Sequence, residues 1–161
     1  VAQLYMNKGK GVLEPSNVGP GDPLARARVG RGAGFGDLDR DGTVDLVLNN
    51  NNQAAELLMQ NPAQGAWIGL WPVGTASNRD AVGASLELEQ AGSRRIRQVT
   101  SGESYFSSNA RHVLVGLGAR SESVTVRVRW PSGLAEEFGG LAVRRYHPLV
   151  ECAGRSVRGV F

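Results

Sequence analysis

The stretch Gly36-Asp37-Leu38-Asp39-Arg40-Asp41-Gly42-Thr43-Val44-Asp45 crowds four carboxylates around one glycine. Four of the six Asp in the chain fall between positions 37 and 45. At contact distance such like charges repel by roughly 1 to 4 kcal/mol per pair in water-like to surface dielectric, so the crowding makes sense chiefly if a cation neutralises it. A hard divalent ion prefers oxygen ligands, and loops that bind Ca²⁺ draw them from positions 1, 3 and 5, a backbone carbonyl at 7, and later carboxylates. Those slots are filled here by Asp37, Asp39, Asp41, the carbonyl of Thr43, and Asp45. The expected cation is Ca²⁺. Gly42 stands where the chain must turn sharply, and glycine reaches positive φ without steric penalty.

Working outward, position 12 of the loop decides which kind of site this is. An EF-hand places a bidentate Glu there and flanks the loop with helices. The residue here is Leu48. The run Asp45-Leu46-Val47-Leu48-Asn49 is short, aliphatic and followed by asparagines, which reads as a strand. The loop is therefore expected to join two strands, at about 32–36 and 45–49, with a third near 56–60. A hairpin around Asn7-Lys8-Gly9-Lys10-Gly11 precedes them, and a Pro- and Gly-containing loop spans 15–26. Together these make about one four-stranded blade. A single blade does not bury its faces alone, because repeat architectures draw their core from neighbouring repeats.

The segment Gly34-Phe35-Gly36-Asp37-Leu38-Asp39-Arg40-Asp41-Gly42-Thr43-Val44-Asp45-Leu46 resembles the FG-GAP, or VCBS-type, repeat of integrin-like β-propellers. Gln3-Leu4-Tyr5-Met6-Asn7-Lys8-Gly9-Lys10-Gly11 is similar to the outer-strand segment of such repeats. Met6 stands where the repeat often carries Arg. Downstream, Ser77-Asn78-Arg79-Asp80-Ala81-Val82-Gly83-Ala84, Ser101-Gly102-Glu103-Ser104-Tyr105 and Val128-Arg129-Trp130-Pro131-Ser132-Gly133 resemble the ASPIC/UnbV domain in order and spacing. Phe106 replaces a more usual aliphatic residue there. The pair implies a cartilage-acidic-protein-like architecture, an extracellular or cell-envelope location, and a protein or glycan partner. The UnbV name also belongs to enediyne biosynthetic clusters, which implies a setting in bacterial secondary metabolism and no particular reaction.

Composition agrees with an all-β chain. The 161 residues suffice for one or two domains, and 22 Gly with 7 Pro punctuate the sequence without any sustained helical period. The expected division is 1–61 for the repeat with its calcium loop, 62–151 for a β-sandwich-like domain, and 152–161 for a C-terminal tail. In the second domain, Leu86-Glu87-Leu88-Glu89 and Arg95-Ile96-Arg97-Gln98-Val99 form a hairpin about a turn at 90–94. The unbroken alternation from Ser123 to Trp130 sends Val124, Val126, Val128 and Trp130 to a core. Ala66 to Val73 reads as a strand carrying Trp67 and Trp71, and Ala135 to Phe138 as the return strand after Pro131-Ser132-Gly133.

Net charge is +3, with −1 in residues 1–61 (six basic, seven acidic) and +4 in residues 62–161 (twelve basic, eight acidic). The basic residues alternate with apolar ones and lack an aromatic platform, so no nucleic-acid partner is expected. No apolar run approaches the roughly 18 residues of a membrane span. Cys152 is the single cysteine, so no intramolecular disulfide forms. The chain starts at Val1, inside a repeat and without a signal peptide, as a part of a longer propeller chain or an oligomer-forming module would.

Outside the aspartate loop, Asn78-Arg79-Asp80 can form an ion pair or Asx turn, or recognise a polar ligand through the guanidinium fork. Tyr105 and Phe106 can anchor their loop or stack on a sugar or peptide. Ser104, His112 and Asp80 can be named as a hydrolytic trio, but the serine lacks a Gly-x-Ser-x-Gly elbow. Two functional classes follow: a calcium-stabilised, non-catalytic binding or adhesion-type module, and an accessory or catalytic protein of secondary metabolism.

Overall fold

The computed structural model describes residues 3–103 and 105–157. Its strands are β1 (Tyr5–Gly9), β2 (Val12–Pro15), β3 (Gly30–Gly36), β4 (Asp45–Asn50), β5 (Glu56–Leu58), β6 (Ala66–Val73), β7 (Ser85–Gln90), β8 (Ser93–Gln98), β9 (Val113–Gly118), β10 (Val124–Arg129), β11 (Ala135–Leu141), β12 (Tyr146–Val150) and β13 (Arg155–Ser156). One 3₁₀ turn at Pro23–Ala25 interrupts the long loop. Among the described residues the fold is all-β, in four sheets with no closed barrel.

Two sheets form the sandwich. One runs β13-β11-β10-β7-β8 and the other β12-β6-β9. The alternation along β10 has the expected result: Val124, Val126 and Val128 have no exposed surface, and Trp130 has 2%. They meet Ile68 and Leu70 of β6, Val115 and Leu117 of β9, and Leu149 of β12 in one apolar cluster. Each such fully buried side chain stabilises the fold by about 1.5–3 kcal/mol. The β7–β8 hairpin closes on Ala91-Gly92, at φ 47 and 72. Positive φ at both turn residues matches the twist of the flanking strands.

The sequence-based reading passed over β9, β12 and β13. Gly116 and Gly118 make β9 look like a loop. Pro148 interrupts β12, which is an edge strand running parallel to β6, where proline is tolerated. Arg155–Ser156, placed in the tail, pair with Glu136 and Glu137 of β11.

Residues 3–61 fold differently. The expected four-stranded blade is divided into the sheet β3-β4-β5 and a separate β1–β2 hairpin with every residue exposed. Among the described residues of this region no apolar side chain is buried; the buried ones are Asp45 and Asn50. Its sheet instead leans on the sandwich. The segment around Ser107 to Ala110 lies along the free edge of β3: Ala110 N donates to Phe35 O at 2.8 Å, and Ser107 Oγ to Ala33 O at 2.7 Å.

Candidate metal centre and the loops around it

The loop between β3 and β4 folds around its own carboxylates. Asp37 Oδ1 accepts Asp41 N at 3.1 Å and Asp37 Oδ2 accepts Gly42 N at 3.0 Å. Asp39 Oδ1 accepts Asp41 N at 3.2 Å, and Asp41 Oδ1 accepts Thr43 N at 2.9 Å. Asp45, only 1% exposed, takes Leu38 N and Gln60 N on its two oxygens, at 2.8 and 3.0 Å. Arg40 and Gly42 supply the left-handed turns, at φ 63 and 92.

These bonds draw Asp37, Asp39 and Asp45 together, with one carboxylate oxygen of each within 4.8 Å of the others. Asp41 Oδ2 is buried with no hydrogen-bond partner among the described residues. None of the four carboxylates has an ion-pair partner there either. An unpaired buried carboxylate oxygen is costly unless a cation or donor satisfies it. The donor set, all oxygen and mostly anionic, fits Ca²⁺. Asp37, Asp39 and Asp45 are the residues that would hold it, and of the other expected ligands Asp41 lies outside that cluster, with the Thr43 carbonyl the remaining one.

What the sequence did not reveal is the floor of this loop. On one face of β6 stand Trp67, Gly69 and Trp71. A Cβ on Gly42 would fall inside the Trp67 indole, and a Cβ on Gly69 inside the ring of Tyr146. The two glycines therefore seat two aromatic rings, whose centroids are 5.6 Å apart. Tyr146 then reaches up and donates its hydroxyl to Asp37 Oδ2 at 2.7 Å. Burial, followed by the hydrogen bond and charge of Asp37, pushes the phenol well above its ordinary range, so it remains a donor. His112 completes the group, 4.6 Å from Trp71 and 5.8 Å from Tyr146 between ring centroids. Burial and then the charge of Arg40 lower its pKa, against the opposing pull of Asp37.

Of the other sequence-predicted residues, Asn78, Asp80 and His112 have structural partners. Asn78 clasps the backbone four residues on rather than forming an Asx turn: Oδ1 accepts Val82 N and Nδ2 donates to Val82 O, both at 2.9 Å. Asp80 pairs with Arg111, and Arg79 is exposed. Of the hydrolytic trio, Asp80 is engaged in that pair, His112 packs against aromatic rings, and Ser104 lies outside the described residues. Cys152 is free and exposed. Tyr105 is 70% exposed and Phe106 74%.

The motif segments from Ser77 and from Pro131 meet at a residue that sequence reading missed. Glu151, 1% exposed, accepts Thr75 N, Ala76 N and Ser77 N at 2.8, 2.9 and 2.6 Å, and the hydroxyls of Ser77 and Ser132 at 2.8 and 2.5 Å. Burial alone would raise its pKa, but the bonds from Ser132, Ser77 and Thr75 outweigh that and hold it at about 2. Glu136 does similar work, accepting Trp130 Nε1 at 2.7 Å, Cys152 N at 3.0 Å and Gly154 N at 2.8 Å.

A family model described as ASPIC and UnbV matches residues 74–156, just over half of the chain. Residues 1–73, including the aspartate loop, lie outside that match. No curated protein matches the chain.

Proposed function

The chain belongs to the ASPIC and UnbV family, and on that premise we propose that it is a non-catalytic binding or adhesion-type module whose N-terminal sheet is stabilised by Ca²⁺. The observation that carries this reading is the convergence of Asp37, Asp39 and Asp45 beside the unpartnered Asp41 Oδ2. When bound, the ion supplies charge neutralisation and cross-links the two ends of the loop. The need for it follows from packing. A sheet with no buried apolar side chain of its own among the described residues requires another staple, and metals serve small units in that way.

The FG-GAP-type reading of residues 3–61 rests on two supports. First, Leu4-Tyr5-Met6-Asn7 at the start of β1 is echoed by Leu57-Leu58-Met59-Gln60 at the end of β5, as repeated outer strands would be. Second, Leu4, Met6, Leu13, Phe35, Leu57 and Met59 are all at least 45% exposed, and the registers place Phe35 and Leu57 on opposite faces of their sheet, so apolar surface of the kind that neighbouring repeats cover is open on both sides. An extracellular or cell-envelope setting follows from the same resemblance, since millimolar Ca²⁺ there saturates even weak oxygen-ligand sites. No helix of the described residues is long and apolar enough to cross a membrane.

Calorimetric titration of the chelated protein with CaCl₂ tests the reading. One saturable site is expected, lost in Asp39→Ala. A titration without a saturable site, or one unchanged by Asp39→Ala, contradicts it.

A further inference from the structure

We infer that the cleft between Arg31 and the Tyr105–Phe106 pair is a binding site for an acidic oligosaccharide; this rests on, and deepens, the binding-module reading. The cleft has a volume of about 500 Å³ and is lined by Arg31, Asn49, Asn51, Tyr105 and Phe106. That volume lies in the range of roughly 300–1,000 Å³ occupied by ligand sites. Asn49 also borders a second cavity, of about 420 Å³, that runs along Gly32, Gly34 and Val47.

The site is built rather than incidental. The rings of Tyr105 and Phe106 stand edge to face, with centroids 4.5 Å apart and planes at 86°, while remaining largely exposed. Phe106 is held at φ 50, a conformation that a bulky residue rarely adopts and that clusters at ligand sites. The clamp is Gly32: a Cβ there would lie 2.9 Å from Phe106 O and 3.1 Å from Tyr105 O, so only glycine lets the turn seat this closely. Opposite the turn, the β3–β4 register shifts between Gly30 and Gly32, which makes Arg31 the bulged residue. A bulge re-aims one side chain out of the alternation, and here that side chain is a guanidinium. Asn49 and Asn51 follow at strand spacing. The side-chain polar groups of Arg31, Asn49, Asn51 and Tyr105 have no intramolecular partner among the described residues.

The chemistry selects the ligand. Open aromatic faces suit the C–H face of a pyranose, while carboxamides offer adjacent donor and acceptor to paired hydroxyls. An unpaired guanidinium presents a fork that matches a carboxylate. An extended peptide would instead add to a free strand edge, but the β3 edge is already taken by the segment from Ser107 to Ala110.

The test is calorimetry of the intact chain in Ca²⁺, with a galacturonate hexasaccharide against neutral maltohexaose. The acidic hexamer is expected to saturate the protein at least tenfold more tightly than the neutral one. Tyr105→Ala and Arg31→Ala should each weaken it at least tenfold. Phe106→Gly, which relieves the positive φ, should weaken binding while leaving the thermal midpoint equal or higher. Absence of saturation by the acidic hexamer overturns the inference, as does equal affinity for maltohexaose, or binding indifferent to these substitutions. The calcium response depends on Asp37 to Asp45, so loss of sugar binding with that response intact overturns this inference alone.

Discussion

The hydroxyl of Tyr146, on a strand of the sandwich, donates a 2.7 Å hydrogen bond to Asp37 Oδ2, 109 residues earlier in the chain. This bond ties the first carboxylate of the aspartate loop to the family domain. It also fixes one rotamer of a residue that would hold the metal, and partners of this kind orient ligands and tune their affinity.

Tyr146→Phe keeps the ring over Gly69 and removes only the hydroxyl. A hydrogen bond to a charged acceptor is worth about 1.5–3 kcal/mol, and loss of such a ligand partner commonly costs about 10–100-fold in metal affinity. The variant should therefore bind Ca²⁺ at least tenfold more weakly. Calcium titration by calorimetry measures this directly, and an unchanged affinity would separate the loop from the sandwich energetically.

Gly42→Ala meets two obstacles at once, the φ of 92 and the Trp67 indole occupying the space of the new methyl. Strained backbone costs about 1–3 kcal/mol and overpacking about as much again. A loss of at least 2 kcal/mol in urea denaturation is expected. Gly11→Ala has positive φ but open space around it, so it should cost less.

Glu151 sets an acid limit. Its pKa falls from 4.5 in the unfolded chain to about 2 in the fold, so its stabilisation is complete above about 4.5 and disappears as pH drops toward 2. Glu151→Gln turns an amide NH₂ toward donors that need an acceptor, at a cost of about 3 kcal/mol at neutral pH. The variant should also show a flatter decline of stability between pH 4.5 and 2. Denaturant midpoints at pH 7, 4.5 and 3 check both; a variant that parallels the native protein throughout would refute the clamp.

Local patterns made part of this legible. Alternation from Val124 to Trp130 specified a buried face because period two has one physical reading beside a core. Aspartate spacing identified the loop, and Leu48 at position 12 placed it between strands. What escaped was non-local. Apart from the Glu136–Trp130 bond, Tyr146, Glu136 and Glu151 draw their meaning from partners 16 to 109 residues distant, and no spacing rule reaches that far. Trp67 and Trp71 were legible as strand residues, but the glycine between them, Gly69, gained its role only once β12 lay beside β6. The separation of the β1–β2 hairpin from its expected sheet belongs to the same class, since strand pairing is decided by what lies alongside.

The central claim is that Ca²⁺ stands in for an apolar core in residues 3–61. Thermal unfolding in EDTA and then in excess CaCl₂ tests it most directly. A ligand at a hundred times its Kd adds about 2.7 kcal/mol, and about 2–4 °C per kcal/mol applies to a chain of this size. The account predicts a midpoint higher by about 5–10 °C with Ca²⁺, abolished in Asp39→Ala. Identical midpoints in EDTA and Ca²⁺ would contradict it.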